Sequence, residues 1–461
     1  MNFIDETFNS AFNTAFEITA KTATGLFSGA FKLTRRALQN RKFSKKIQQA
    51  LDKSCMNRKV AAAPNINTDA IYLNDDPEYD DVAEFNLSAI DYIFGRNDEP
   101  ESMIISGGTN QKRLRALEIF INKSQTKKMP VVVLHSSNSD IYNMIKANSY
   151  ESEFISSKNG DNFYDVFAGI KPSDIVKLLY DTIDNKTERG LEALLESLVN
   201  VALDKFPRLS MQELAYFPID DIENEINLLC SQGLMDEGRK NSLLSSYYAG
   251  TAAKNALSFS LKDLAVQFER TFGAKRTSSS SVKRMINRKG VIAIDVGNAH
   301  NELAVKFMIK HLILLDTVMK IKNPAFEFNV VVDNIPIYKI NAIRDLLRYK
   351  TYAITCSDFV ASMAGSDVLF NSIASGVGLI VLLRHSGLSS CKKWSDYLGK
   401  YRKITMQNDI SENGTFLNFT SGRHLHVDEE DKPRIKDLTI ANLPDDVACV
   451  YRSEEILIAN I

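Results

Sequence analysis

Residues 104–114, IISGGTNQKRL, decide the reading of this chain: an apolar strand, a Gly-Gly turn and the opening of a helix. A P-loop is built in that order. Its Gly-rich turn aims backbone N–H groups at phosphate, a Lys neutralises the outer phosphates, and a Ser or Thr hydroxyl holds Mg²⁺. Fitting GxxxxGK[ST] from Gly107 puts Lys112 at the second glycine, Arg113 at the lysine and Leu114 at the hydroxyl, so three of four defining positions are replaced. Arg113 can still pair with phosphate, but Leu114 offers a metal no oxygen. Lys112 brings a Cβ to a place where the backbone turns closely. Gly107, Gly108, Thr109, Lys112 and Arg113 are the candidate nucleotide-binding residues, and a plain strand–turn–helix is the competing reading.

Outward from this turn, strands and helices alternate. Residues 129–134 (MPVVVL) read as a buried β-branched strand. Residues 163–170 lead to a helix with Ser173 as its cap and Asp174 in its first turn. From about 174 to 272 the periodicity is helical throughout. Residues 275–289, with four successive serines, predict a flexible basic loop. Strands resume at 290–295, 328–333, 352–355 and 377–383, with a long helix after the first, and 447–451 and 455–459 form a closing pair. This alternation implies a mainly parallel sheet covered on both faces. The fold class is therefore α/β over residues 101–173 and 286–461, interrupted by an all-helical insertion over 174–285.

The second half of a nucleotide site would be an apolar strand ending in Asp-Glu, supplying a metal-organising Asp and a water-activating Glu. Here FNVVVDN supplies Asp333 and then Asn334, which cannot take a proton from water. Losing such a base typically costs ~10²–10⁴ in rate.

Bulk properties exclude several classes. A formal net charge of -1 over 461 residues gives no global field toward nucleic acid or membrane. The five cysteines are scattered without a CxxC pair, so neither a zinc ribbon nor a disulfide framework is indicated. His424 and His426 share a face if their segment is a strand, but no carboxylate spacing along the sequence beside them demands a metal. No metal site is assigned. The first 60 residues carry Phe8, Phe12, Phe16, Phe27 and Phe31 at helical spacing, followed by Lys32, Arg35, Arg36, Arg41, Lys42, Lys45 and Lys46. That pattern suits an interfacial helix meeting an anionic membrane surface through residues 1–46, or a helix packing on a partner. Residues 61–100 read as an acidic linker.

Order and spacing together resemble the conjugative type IV coupling proteins, the TraG/TraD-like branch of the FtsK/HerA P-loop ATPases. The residues that carry the likeness are the strand and P-loop position, the helical insertion, GVIAID with its long helix, and AIRDLLRYKTYAIT after Asp333. The tail RIKDLTIANLPDDVACVYRSEEILIAN matches the family's closing piece. The resemblance implies a RecA-like P-loop NTPase fold with ATP and Mg²⁺ as ligands. It also implies a hexamer-like ring of identical or different subunits, contact with DNA or a secretion substrate, and a cytoplasmic place at the inner face of the cell membrane. Arg344 or Arg348 would face a neighbour's nucleotide, and Asp333, Asn334 and Arg348 are the candidate catalytic set. Cys356-Ser357-Asp358 stands where the family carries a γ-phosphate-sensing Gln. We therefore expect a pseudo-ATPase with weakened nucleotide binding. Two alternatives are a divergent DNA-translocating ATPase using Asp358 as base, and a membrane-surface scaffold.

Overall fold

A computed structural model describes residues 60–62 and 99–460, apart from 159–162, 184–187, 276–278, 298–300, 340–341, 349, 416–417 and 453–454. The Phe-striped basic segment and nearly all of the acidic linker lie outside the described residues. Two compact units are formed. The larger lies within Ala61–Lys393 and Asp437–Ser453, and the smaller is built on Trp394–Lys436.

In the larger unit, β1 (Met103–Ser106) leads to α1 (Asn110–Thr126), β2 (Val131–His135), α2 (Ser139–Ala147) and β3 (Ser152–Ile155). After a helical stretch come β4 (Val291–Asp295), α10 (Glu302–Lys322), β5 (Asn329–Asp333), α11 (Ala342–Leu347) and β6 (Tyr352–Cys356). The unit continues with α12 (Phe359–Ser362), α13 (Asp367–Ala374) and β7 (Leu379–Leu382), then β10 (Val447–Arg452), which a last strand, Glu455–Asn460, adjoins in the sheet. The eight numbered strands are ordered β10-β7-β1-β6-β5-β2-β4-β3, and every pairing among them is parallel except β10 with β7. β1 is therefore flanked by two strands that come much later in the chain. Its carboxyl end opens beside that of β6, the kind of switch point where open α/β sheets take ligands. The strands are continuous apolar runs because helices cover both faces: Ile104, Ile105, Val131 to Leu134 and Val330 to Val332 are all buried.

The helical stretch holds α3 (Pro172–Thr182), α4 (Leu191–Lys205), α5 (Met211–Ala215), α6 (Ile222–Ser231), α7 (Glu237–Ala249), α8 (Lys254–Phe272) and α9 (Val282–Arg288). Leu191, Leu194, Leu195 and Leu198 of α4 are fully buried at the helical spacing seen in the sequence. Tyr164 ties this stretch to α10: it stacks on Phe268, meets Phe272 edge-on and bonds His311 Nδ1 at 2.6 Å.

Three local expectations change. The cap of α3 is Lys171, not Ser173, because Pro172 takes the first helical position, where a missing N–H costs nothing. Asp174 is in the first turn as expected. The serine-rich basic loop is partly ordered: Ser279–Ser280 pairs in parallel with Phe163–Tyr164, and Ser281 caps α9 by accepting from the Arg284 N–H. Serines that weaken a helix interior serve well at its start. Between α14 (Leu388–Leu398) and α15 (Asp437–Ala441) the smaller unit contains a long antiparallel ribbon unforeseen in the sequence, β8 (Lys400–Thr415) against β9 (Asn418–Pro433).

Candidate nucleotide site

β1 ends at Ser106, and α1 starts at Asn110 after an extended Thr109. Only residues 107–109 lie between strand and helix, fewer than a GxxxxGK[ST] turn needs. Lys112, Arg113 and Leu114 consequently sit inside α1. Gly107 and Gly108 have φ of +93° and +59°, a left-handed region that suits glycine. The Gly107 N–H donates to Cys356 O at 3.1 Å, and the Gly108 N–H donates to Arg384 O at 2.8 Å. These two N–H groups are thus committed to neighbouring main chain. The turn is also closely covered: a Cβ on Gly107 would lie 2.6 Å from Leu383 O and 2.8 Å from His385 Cε1.

Arg113 turns back onto the loop. Its Nη1 donates to Gly107 O at 3.0 Å and to Gly108 O at 2.7 Å. The residue is 6% exposed, and its Nε makes no hydrogen bond. Burial lowers the guanidinium's pKa, while Asp333 and Cys356 oppose that shift. The turn therefore offers carbonyl oxygens to an internal cation, where a phosphate cradle offers N–H groups to an anion. Lys112 points elsewhere, donating to Asp445 O.

Beneath the turn, His385 Nδ1 lies 2.7 Å from Leu383 O, which can only accept, so that nitrogen carries the proton. Ser106 Oγ then donates to His385 Nε2 at 2.8 Å and accepts the Phe359 N–H at 3.0 Å. Burial depresses the His385 pKa, in keeping with a neutral ring. This pair joins the end of β1 to the chain leaving β7.

Asp333, at the end of β5, is fully buried. It accepts from Thr355 Oγ1 and, at 2.8 Å, from Asn138 Nδ2. Asn138 caps α2 and exchanges side-chain hydrogen bonds of 3.1 and 3.2 Å with Asn110, which also donates to Asp140 Oδ2 at 2.7 Å. Asp333 is thus the buried end of an amide network across β2, β5 and β6. Asn334 has φ +53° and donates its N–H to Thr355 O at 2.7 Å. Asn tolerates this left-handed conformation better than Glu does, which gives the replaced position a backbone reason. Asp358 caps α12 and accepts from Ser390 Oγ at 2.6 Å. Arg344 and Arg348 lie exposed in and just after α11, on the connection from β5 to β6.

The structure brings together Gly107, Gly108, Arg113 and Asp333, and it adds Asn110, Asn138, Thr355, Ser106 and His385. The only sequence signal for these additions was the polar run after β2, in which Asn138 stands as a helix cap. The residues depart from the pattern of a Mg²⁺-nucleotide cradle: the turn is short, the Gly107 and Gly108 N–H groups are engaged, Leu114 stands at the hydroxyl position, and both carboxylate oxygens of Asp333 accept from neighbours.

No family model matches the chain, and no curated protein matches it in sequence. Solved structures do. The bacterial conjugative coupling protein TrwBdeltaN70, in a trigonal form with sulphate, aligns at a TM-score of 0.50 and 14% identity over 79% of this chain and 85% of that one. TrwB with ADP and Mg²⁺ gives 0.49 and 14% over 79% and 86%. VirB4 of Thermoanaerobacter pseudethanolicus gives 0.43 and 12% over 80% and 92%. The chain has the RecA-like P-loop ATPase fold seen in the conjugative coupling protein. The expected fold class and the coupling-protein likeness are borne out at that level. Among the described residues, no helix is long and apolar enough to cross a membrane.

Proposed function

We propose that this chain is a coupling-protein-like subunit that keeps the nucleotide fold for assembly or substrate recruitment in a DNA or protein transfer machine, without turning over ATP. The observation that carries this reading is Arg113, whose guanidinium bonds both glycine carbonyls of the turn where a nucleotide's phosphates would lie. An internal cation orders the loop, so no ligand is needed to hold it. Asp333 supports the same reading, because Thr355 and Asn138 take up its oxygens and make it a strut between strands. Asn334 has no proton-accepting carboxylate. Weakened or absent nucleotide binding follows.

Other parts of the reading belong to the same proposal. They are a hexamer-like ring with Arg348 toward a neighbour, contact with DNA or a secretion substrate, and attachment to an anionic membrane surface through residues 1–46. Exposure of Arg344 and Arg348 at one helix end is consistent with the first.

The test is ATP turnover by the full-length protein with Mg²⁺. The reading expects rates well below ~1 s⁻¹, the low end of ordinary enzymes, unchanged by Asp333→Asn. Turnover at or above that rate, abolished by Asp333→Asn, would instead establish a working ATPase.

A further inference from the structure

Three large apolar side chains stand exposed on the hairpin of α6 and α7: Leu228, Leu234 and Tyr248, at 48%, 64% and 52%. The two helices run antiparallel. Tyr248 near the end of α7 hydrogen-bonds Glu223 at the start of α6, and Cys230 near the end of α6 donates at 3.4 Å to Glu237 at the start of α7. Past α6, Gly233 at φ +72° donates its N–H to Cys230 O, and the Leu234 N–H donates to Leu229 O, both at 3.0 Å. Such a turn folds the residue after the glycine back over the last helical turns. Leu234 is thereby brought to the part of α6 that carries Leu228. Exposed apolar groups gathered on one element mark an interaction surface.

Charge narrows what that surface accepts. Residues 211–238 hold seven carboxylates and no Lys or Arg. Asp220 and Glu225 have partners in Lys254 and Lys205, but Asp221, Glu223 and Asp236 form no ion pair among the described residues. A fitting occupant combines large apolar anchors with excess positive charge. Residues 1–46 have that composition: Phe8, Phe12 and Phe16 recur every fourth residue, and the run from Lys32 to Lys46 has seven cations and no carboxylate.

Topology bears on which molecule supplies them. The ten-stranded sheet has Val60–Ala62 at one edge and β3 at the other, and the helical stretch lies between β3 and β4 in the chain. Strands about 4.8 Å apart make that sheet about 43 Å across. Residues 47–59, which join the basic run to Val60, reach about 45 Å when fully extended. Within one molecule the width of the sheet alone takes up that reach. In a head-to-tail contact the Val60–Ala62 edge of one molecule faces the β3 edge of the next, and a short connector suffices. Heterologous contacts of this kind close into rings when their rotation allows.

We propose that the α6–α7 face binds residues 1–46 of a second copy, phenylalanines against Leu228, Leu234 and Tyr248 and the basic run against Asp221, Glu223 and Asp236. Resting on the assembly reading above, this contact joins subunits without nucleotide.

The experiment is carbodiimide cross-linking of full-length protein, mixed in equal parts from unlabelled and nitrogen-15-labelled stocks and read by peptide mass spectrometry. Lysines between Lys32 and Lys46 are expected to join Asp221, Glu223 or Asp236, with mixed-label pairs as frequent as like-label pairs. Leu228→Ser combined with Leu234→Ser changes exposed side chains only, and should weaken self-association about tenfold in sedimentation. Ile321→Ser, at another exposed position, should leave it unchanged. Cross-links confined to like-label pairs would seat the segment on its own molecule and overturn the claim for a second copy. Cross-links that miss α6–α7, or association unmoved by the double variant, overturn the surface itself. Protein that floats with anionic vesicles and gives no such cross-links in their absence assigns residues 1–46 to the membrane, and overturns it too. ATP turnover on the same preparations tests the functional reading separately, since these cross-links in an active ATPase would support the contact and remove that reading.

Discussion

The interior of the parallel sheet and its carboxyl rim are made by the same strands, yet they obey different rules. Inside, Ile104, Ile105, Val131 to Leu134 and Val330 to Val332 form the dry apolar run that any doubly covered sheet needs. At the rim, Gly107 and Asp333 keep the motif's residue types, while Lys112, Arg113, Leu114 and Asn334 depart from them. Arg113 bonds the turn carbonyls, Asp333 joins strands, and Asn334 sits in a left-handed conformation. The difference teaches that architecture and chemistry are carried by separable residue sets. A sheet can be retained in full while a few side chains at its rim change.

The sharpest way to break this contrast is to empty the turn. Arg113→Ala leaves two carbonyls without their donor and a void beneath them, and should cost roughly 2–4 kcal/mol in chemical unfolding. Arg113→Lys should recover only part of that, since an ammonium lacks the guanidinium fork. If Arg113→Ala left stability unchanged, the internal-cation account of the rim would fail. Gly107→Ala comes next. Its positive φ and close approach to Leu383 O predict a loss of about 2 kcal/mol, read in the same unfolding assay.

Acidification probes interior and rim together. Burial holds His135 and His385 at the rim below the ordinary imidazole value, and His311 in the interior down to about 3. Below about pH 6.5 the unfolded chain takes up protons that the folded chain refuses, so stability falls as pH falls. Each such histidine contributes up to about 1.4 kcal/mol per pH unit in that range. Urea unfolding at pH 7 and pH 5.5 should therefore show a smaller acid loss for His311→Gln than for the wild type. Equal losses would remove His311 from the account.

Smallest is Asn334→Gly, expected to change stability by about 0.5 kcal/mol or less because glycine accepts the same φ. Asn334→Glu should cost about 1 kcal/mol through its strained φ and create no ATP turnover. A Glu variant that gained turnover would show the rim to be one substitution from activity.

Much of the sheet was legible because its strands are apolar runs bounded by polar turns. Residues 129–134 and 328–333 announced β2 and β5 within a residue or two. β3 was missed: in Ser152–Ile155 only Ile155 is buried, so an edge strand carries little apolar signal. The ribbon was missed for a related reason. Its 16-residue strands are rich in polar residues, and their pairing is a long-range fact of register. At the rim, the broken motif could be read directly from Lys112, Arg113 and Leu114. The shortness of the turn could not, because Thr109 to Lys112 suit loop and helix equally well. Nor could the partners of Asp333, since Asn138 and Thr355 reach it only through the parallel order of β2, β5 and β6.

The central claim is that the turn after β1 is closed by its own arginine, and calorimetric titration of Mg·ATP into the full-length protein tests it most directly. The account predicts no saturable binding up to ~1 mM, a limit of about -4 kcal/mol, in the wild type. Binding at ~1 μM that is lost in Arg113→Ala would contradict it, and would make Arg113 a phosphate ligand in place of an internal plug.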